Sequence, residues 1–523
     1  MHAMKTYRTF TMFGLLGVFL LLPFPAAAAV KYKPFEISGW IPYWRVATGT
    51  ADTMPHLDAL TEVNPFGYSV KTDGTLADTA KLSPTLEATT TASGIATTTI
   101  PSAWAPFIEA ARAKNLRVIP TVMWSDGAAM HRILSDGPKR RALADEITKV
   151  VTENNFDGID IDFEGKKVET KDYYSTFLEA LRIRMPKKWL MCTIESRTPL
   201  EDRYHGVERP ADAGLYANDL KAINKYCDRV RIMAYDQQGV DLKLAAEAAS
   251  SSQLYAPVAD PAWVEKVVNL MAKDIAKNKI MIGVPTYGYE YDVTAYANNE
   301  YLYDILWTFN PGYALPIAQQ YGITPARNAA GELYFSYFPT GTSTQETAAP
   351  VSGLHALLAA AAASQFAHAQ NSHITFRLLD WPDEQSVAQK IALAKRLGVR
   401  GVSVFKFDGG QDPDIWNVLA TVGSAPAPIT VPGASTLTRP LKVGQTGADV
   451  KLLQVLLNSD PDTRVAASGP GSPGAETNKF GTLTLRALEK FQIKHAIAKK
   501  GDIGFGVLGP RTRAKMNELI GMQ

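Results

Sequence analysis

Phe156-Asp157-Gly158-Ile159-Asp160-Ile161-Asp162-Phe163-Glu164-Gly165 carries the clearest pattern in the chain. Ile159, Ile161 and Phe163 alternate with Asp160, Asp162 and Glu164, and side chains alternate faces along a strand. The pattern predicts a buried strand, Gly158–Glu164, with all three carboxylates on one face. Mutual repulsion and loss of water both raise carboxyl pKa values. Proteins tolerate such a face where chemistry needs a proton held above the ordinary carboxylic range. A half-exposed edge strand with an acidic solvent face is the alternative. Gly158 and Gly165 bracket the stretch and apolar strand patterns recur on both sides of it, which argues for burial.

Outward from this strand, similar short apolar runs recur at Glu36–Pro42, Pro65–Val70, Leu116–Met123, Leu190–Glu195, Arg229–Tyr235, Lys279–Pro285 and Gly401–Phe407. Helical patterns fall between them at Ala103–Lys114, Arg140–Glu153, Lys171–Met185, Ala217–Tyr226, Ala262–Lys277 and Glu384–Leu397. Strands alternating with helices predict an α/β fold, a parallel (β/α)8 TIM barrel over residues 30–420. Two intervals break the rhythm. Leu82–Pro101, rich in Thr, Ala and Ser, is expected to be a long surface loop. Residues 288–372, dense in tyrosine, are expected to form a small α+β insertion between strands seven and eight, at the end of the barrel where βα loops build sites.

Residues 421–440 lack periodicity and are rich in Pro, Ser, Thr and Gly, the composition of an extended interdomain linker. Residues 441–523 then show apolar helical faces, beginning with Leu452, Leu453, Leu456 and Leu457, and predict a small helical C-terminal domain. At the other end, Lys5 and Arg8 precede an apolar core, Phe13–Phe24, and the run Ala26–Ala29. This is the layout of a secretory signal peptide over residues 1–29, so a secreted or wall-associated location is expected, with no membrane contact once that segment is removed.

The chain has 523 residues and a formal net charge of +2, which gives no reason to expect nucleic acid or an anionic membrane as partner. Its eight histidines show no metal-ligand spacing, and no phosphate-cradling glycine loop stands out, so neither a metal nor a cofactor is expected. Cys192 and Cys227 could pair in an exported protein or serve as small buried hydrophobes. A monomer is expected.

Asp157-x-x-Asp160-x-Asp162-x-Glu164 resembles the signature of glycoside hydrolase family 18, the chitinase-like enzymes. Met233-x-Tyr235-Asp236 and Gly283-x-Pro285-x-Tyr287-Gly288 are similar to the family's sixth and seventh strand ends. The resemblance implies hydrolysis of β-1,4 bonds beside N-acetylglucosamine by substrate-assisted, retaining catalysis. It implies Glu164 as general acid/base and Asp162 as the group orienting the 2-acetamido substituent. Asp160 would share a proton with Asp162, Tyr235 would bond the acetamido oxygen, and Asp236 would contact the sugar. Asp157 is expected to be structural, and Phe405 stands where the family often carries a tryptophan floor. Tyr43, Trp124 and Tyr287 are further substrate-contact candidates. The second strand, Asn64–Val70, and the general layout look more like the wall- and spore-cortex-lytic members than a processive chitinase.

The C-terminal segment resembles the three-helix peptidoglycan-binding module of bacterial wall enzymes, through Gly444-x-x-Gly447-x-Asp449-Val450-x-x-Leu453-Gln454, Phe480-Gly481-x-x-Thr484, Phe491-Gln492 and Gly509-x-x-Thr512. Peptidoglycan is therefore the expected substrate. Chitin or chito-oligosaccharides are the alternative polymer, and a non-catalytic glycan-binding protein is the alternative class. Retention of Glu164 argues for an enzyme.

Overall fold

The computed structural model describes residues 35–91, 94–250, 254–298, 300–339, 357–423, 436–458, 460–466, 469–472 and 475–521. The expected signal segment and the centre of the expected linker lie outside these residues.

Eight parallel strands close on themselves: β1 Glu36–Pro42, β2 Glu62–Val70, β3 Thr121–Trp124, β4 Gly158–Phe163, β5 Trp189–Glu195, β6 Arg229–Met233, β7 Ile280–Pro285 and β8 Gly401–Phe405. Each pairs with its sequence neighbours, and β1 pairs with both β8 and β2. This is the (β/α)8 barrel the alternation predicts. The outward faces of the strands pack on helices: Phe163 of β4 stacks on Phe177 of the helix Lys171–Arg184, with ring centroids 5.5 Å apart. At Gly158, a Cβ would lie 2.0 Å from the Trp189 carbonyl oxygen, so only glycine lets β4 close on β5.

The inward faces are unusually polar. Glu36, Glu62, Asp160 and Arg231 are fully buried, and Arg117 is nearly so. Arg117 donates to Glu36 and to Glu62, both at 2.9 Å. Arg231 bonds Glu62 and lies 2.8 Å from Asp160. Arg229 and Arg400 also bond Glu36, at 2.6 Å and 2.8 Å. A chain of alternating charges thus runs inside the barrel from β1 to the acidic strand. Burial pushes the Glu36 carboxyl up, but the hydrogen bonds from Arg229 and Arg400 and the charges of Arg117 and Arg229 outweigh it and bring it down to about 2.

One sequence expectation changes. Within the interval expected to be a loop, Thr85–Thr91 and Gly94–Ile100 are strands paired antiparallel. Threonine is β-branched and favours extended backbone, a preference that its polarity masks. The insertion is the expected α+β unit: strands Gly288–Tyr296, Tyr301–Phe309, Ala326–Arg327, Leu333–Tyr337 and His373–Trp381 form a five-stranded sheet, with the helices Pro311–Gln320 and Leu357–Gln370 in the same interval.

Residues 436–521 contain the helices Ala448–Asn458, Thr482–Lys494 and Pro510–Gly521 around Leu441, Leu453, Leu457, Phe480, Leu488, Phe491 and Leu508. The segment repeats one device. Gln454 donates to Thr484 Oγ1 at 2.9 Å and to the Lys479 carbonyl at 3.0 Å. Gln492 donates to Thr512 Oγ1 at 3.0 Å and to the Val507 carbonyl at 2.9 Å. The glutamine and threonine of each motif are buried and bind helix to helix. These residues specify the fold of the segment.

Candidate active site

The register of β4 with its neighbours sets Asp160 beside Thr121 and Asp162 beside Met123, and pairs Asp162 with Thr193 on the other side. Asp160 is wholly buried and saturated with donors. It accepts the Thr121 hydroxyl at 2.9 Å, the Trp40 indole N–H at 3.3 Å and the Thr193 hydroxyl at 2.9 Å, besides its ion pair with Arg231. Among the described residues no hydrogen bond joins Asp160 to Asp162. Donors and a guanidinium occupy the Asp160 oxygens.

Asp162 differs. It is 4% exposed, and its Oδ1 is buried without a partner. Burial first, then the charges of Glu164 and Asp160, push its carboxyl well above the ordinary range. Glu164 follows the last residue of β4 and is half-buried, its N–H bonded to the Trp124 carbonyl at 2.8 Å. Its carboxyl is also raised, by burial, then by Glu195 and Asp236, against an opposing pull from Lys166. Burial and neighbouring carboxylates thus raise the proton affinity of a buried aspartate and of a glutamate at the barrel mouth.

At the end of β6, Tyr235 is nearly buried, and burial with Asp162, Asp236 and Glu164 nearby pushes its phenol far up, so it stays a donor. Its ring stacks on Phe405 at 5.8 Å. Gly283 of β7 makes room for that ring, since a Cβ there would lie 2.7 Å from it. Asp236 adopts a left-handed backbone (φ 58°), and its Oδ1 accepts the hydroxyls of Tyr287 at 2.5 Å and Tyr289 at 2.6 Å. Trp44, Arg45, Asp236, Tyr287, Phe405 and Lys406 are among the residues lining an adjoining cleft of about 520 Å³. Residues of the insertion, Thr308 to Asn310, supply one of its walls.

Asp157 lies at the other end of β4 and accepts the Val118 N–H at 2.8 Å, tying the strand to its neighbour. Trp124 pairs with Phe163 in the register of β3 and β4 and packs on its ring at 5.3 Å. It is buried on the face opposite the carboxylates, so strand alternation removes it from the substrate candidates. Tyr43 is exposed and packs edge-on against Trp44, and Trp44 is the member of that pair in the cleft wall. Among the described residues no group of three His, Cys, Asp or Glu side chains is placed to hold a metal ion.

Three charged residues near the carboxylates were not singled out from sequence: Lys166, Glu195 and Arg231. Each carried a signal. Glu195 ends a barrel strand, the position where site residues concentrate. Arg229 and Arg231 alternate along β6, which marks an inward-facing charged row in need of buried carboxylate partners. Lys166 lies two residues beyond the acid.

A model for glycosyl hydrolases family 18 matches residues 51–410. A Bacillus subtilis (strain 168) protein named "uncharacterized glycosylase YvbX" is 27% identical over 168 residues, which is 32% of this chain and 44% of that protein. The chain spans less than half the length of the curated relatives it matches. The spore cortex-lytic enzyme SleL of Bacillus megaterium QM B1551 superposes with a TM-score of 0.51 at 17% identity, over 75% of this chain and 74% of that one. A chitinase from Chromobacterium violaceum ATCC 12472 superposes with a TM-score of 0.50 at 17% identity, over 74% of this chain and 98% of that one.

Proposed function

The chain belongs to glycosyl hydrolase family 18, and on that premise we propose that it is an exported enzyme cutting β-1,4 bonds of N-acetylglucosamine-containing polymers, peptidoglycan first among them, with retention of configuration. The division of labour between two aspartates carries the mechanistic part. Asp160 is held as an acceptor by three hydrogen-bond donors and an ion pair with Arg231, whereas burial pushes the Asp162 carboxyl well up and leaves one of its oxygens without a partner. A carboxyl whose ionisation burial opposes is a poor nucleophile, which favours an attacking atom supplied by the substrate. Asp162 accepts the acetamido N–H, and Tyr235 steadies the acetamido carbonyl. The carbonyl oxygen attacks the anomeric carbon as the glycosidic C–O bond breaks, and Glu164 gives its proton to the departing oxygen. The cyclic oxazolinium ion is opened when water attacks the same anomeric carbon and returns a proton to Glu164.

The choice of peptidoglycan rests on the C-terminal segment, whose motifs resemble wall-binding modules and whose attachment would raise the enzyme's local concentration on its polymer. Export is supported by the residue 1–29 pattern and by the bond between Cys192 and Cys227, since disulfides persist in oxidising compartments. The fold shared with a chitinase keeps chitin as the second polymer.

The test is to incubate the purified protein and its Glu164→Gln variant with peptidoglycan and with chitin, and to identify released fragments by mass. Muropeptides ending in reducing N-acetylglucosamine, released by the wild type only, are expected. Release from chitin alone replaces the polymer and keeps the mechanism. Inactivity of both proteins with glycan binding intact overturns the enzymatic reading.

A further inference from the structure

Behind Glu164 lies a pair of opposite charges that the reaction just described does not use. Glu195 ends β5, next to the acidic strand. Its Oε1 accepts the Gly165 N–H at 2.9 Å. Its Oε2 accepts from Asn218 Nδ2 at 3.2 Å and lies 3.5 Å from Lys166 Nζ. Its backbone carbonyl accepts the Tyr216 hydroxyl at 3.1 Å. The Lys166 side chain has no exposed surface, although lysine is among the residues that proteins bury least. Its ammonium also bonds the Phe163 carbonyl and sits 5.0 Å from the centre of the Tyr174 ring. Among the described residues, Glu195 is its one recorded ion-pair partner. Burying an ammonium and tying it to the turn that bears the acid costs free energy that a solvent-facing lysine would not.

Resting on the reading of Glu164 as the acid, we propose that Glu195 and Lys166 are positioning residues that clamp the turn Glu164-Gly165-Lys166 to the end of β5 and hold opposite charges beside Glu164. The Glu195 carboxylate favours the protonated acid, and the Lys166 ammonium favours its release. Together they keep Glu164 a proton donor without locking the proton in place, which suits a group that must act as acid and then as base. The other charged or titratable groups facing this turn are Asp162 on β4, Tyr235 and Asp236 at the end of β6, Tyr216 with Arg197 stacked on it at 4.8 Å, and Tyr174 from the adjacent helix.

Two substitutions test the pair, because they move one observable in opposite directions. Glu195→Gln keeps an oxygen for the Gly165 N–H and removes the negative charge. Lys166→Met keeps most of the stem and removes the positive charge. The readout is the pH dependence of kcat/KM for reducing ends released from peptidoglycan, or from chitin if that is the polymer cut. The alkaline limb reports loss of the Glu164 proton. It moves to lower pH in Glu195→Gln and to higher pH in Lys166→Met, and the double variant lies between the two. Lys166→Arg, which keeps the charge, restores the wild-type limb. A pure packing role would lower rates without opposite displacements, so shifts of the same sign, or no shifts in folded variants, overturn the proposal. If Lys166→Met does not fold, Glu195→Gln decides alone, and an unmoved limb overturns it. An inactive Glu164→Gln beside unmoved limbs sinks only this proposal, whereas an active Glu164→Gln sinks the acid assignment itself.

Discussion

Replacing Glu36 by glutamine at the bottom of the barrel should change how stability depends on pH, by an amount that follows from its surroundings. Glu36 is fully buried and receives hydrogen bonds from Arg117, Arg229 and Arg400. Its carboxyl lies at about 2, against 4.5 for an ordinary glutamate. The folded value is the lower one, so Glu36 stabilises the fold above the unfolded value and that stabilisation is lost as pH falls from about 4.5 to about 2. The gap of about 2.5 pH units, at about 1.4 kcal/mol each, amounts to about 3.5 kcal/mol, of which about 3 kcal/mol is lost by pH 2. Glu36→Gln cannot ionise, so its deficit against the wild type should be full at pH 6 and smaller by about 3 kcal/mol near pH 2. Urea unfolding followed by tryptophan fluorescence measures this for the barrel alone, because all nine tryptophans precede residue 424. Wild-type and variant stability curves that stay parallel from pH 6 to pH 2 would refute the argument and show that the arginines do not hold Glu36 ionised.

Three further outcomes follow from the same physical picture. Arg231→Met leaves Glu62 and Asp160 buried without the cation between them and should lower stability by about 3–5 kcal/mol; a loss below about 1 kcal/mol in the same urea assay would mean that the charge chain is not coupled. Asp162→Asn should abolish turnover yet stabilise the protein. The Asp162 carboxyl is pushed up by burial, so the fold opposes its ionisation above the ordinary aspartate value, and the variant's advantage should grow by about 1.4 kcal/mol per pH unit from about pH 4 upward until the folded group itself ionises. A variant equal to wild type at pH 3 and at pH 7 contradicts this. Removing the Cys192–Cys227 bond, whose partners are 35 residues apart, as Cys192→Ala/Cys227→Ala should cost about 4 kcal/mol by loop-closure entropy; an unchanged thermal midpoint in oxidised wild type and variant would show that the bond constrains little.

The barrel was legible because its strands repeat a short-range pattern. Alternation along Gly158–Phe163 fixes which side chains face the axis and which face the helices, and it needs no knowledge of neighbouring strands. The same local rule placed Glu164 at the mouth and, once β3 was paired, moved Trp124 to the outer face. The strand pair Thr85–Thr91 and Gly94–Ile100 was missed where polar composition outweighed β-branching.

What the sequence determined by itself, then, was the barrel, the acidic strand and the residue types available for chemistry, since strand period and side-chain chemistry are local properties. Which carboxylate is surrounded by donors and which is buried with an oxygen lacking a partner was decided only by the tertiary structure. Asp160 and Asp162 are identical residues two positions apart, and nothing local separates them. Asp160 meets Arg231 from β6, Trp40 from β1, Thr121 from β3 and Thr193 from β5, whereas Asp162 has a buried oxygen with no partner. Proton affinity is set by desolvation and by charges brought close from distant parts of the chain. The pairing of Glu195 with Lys166 behind the acid arises in the same way, from the closure of β4 against β5.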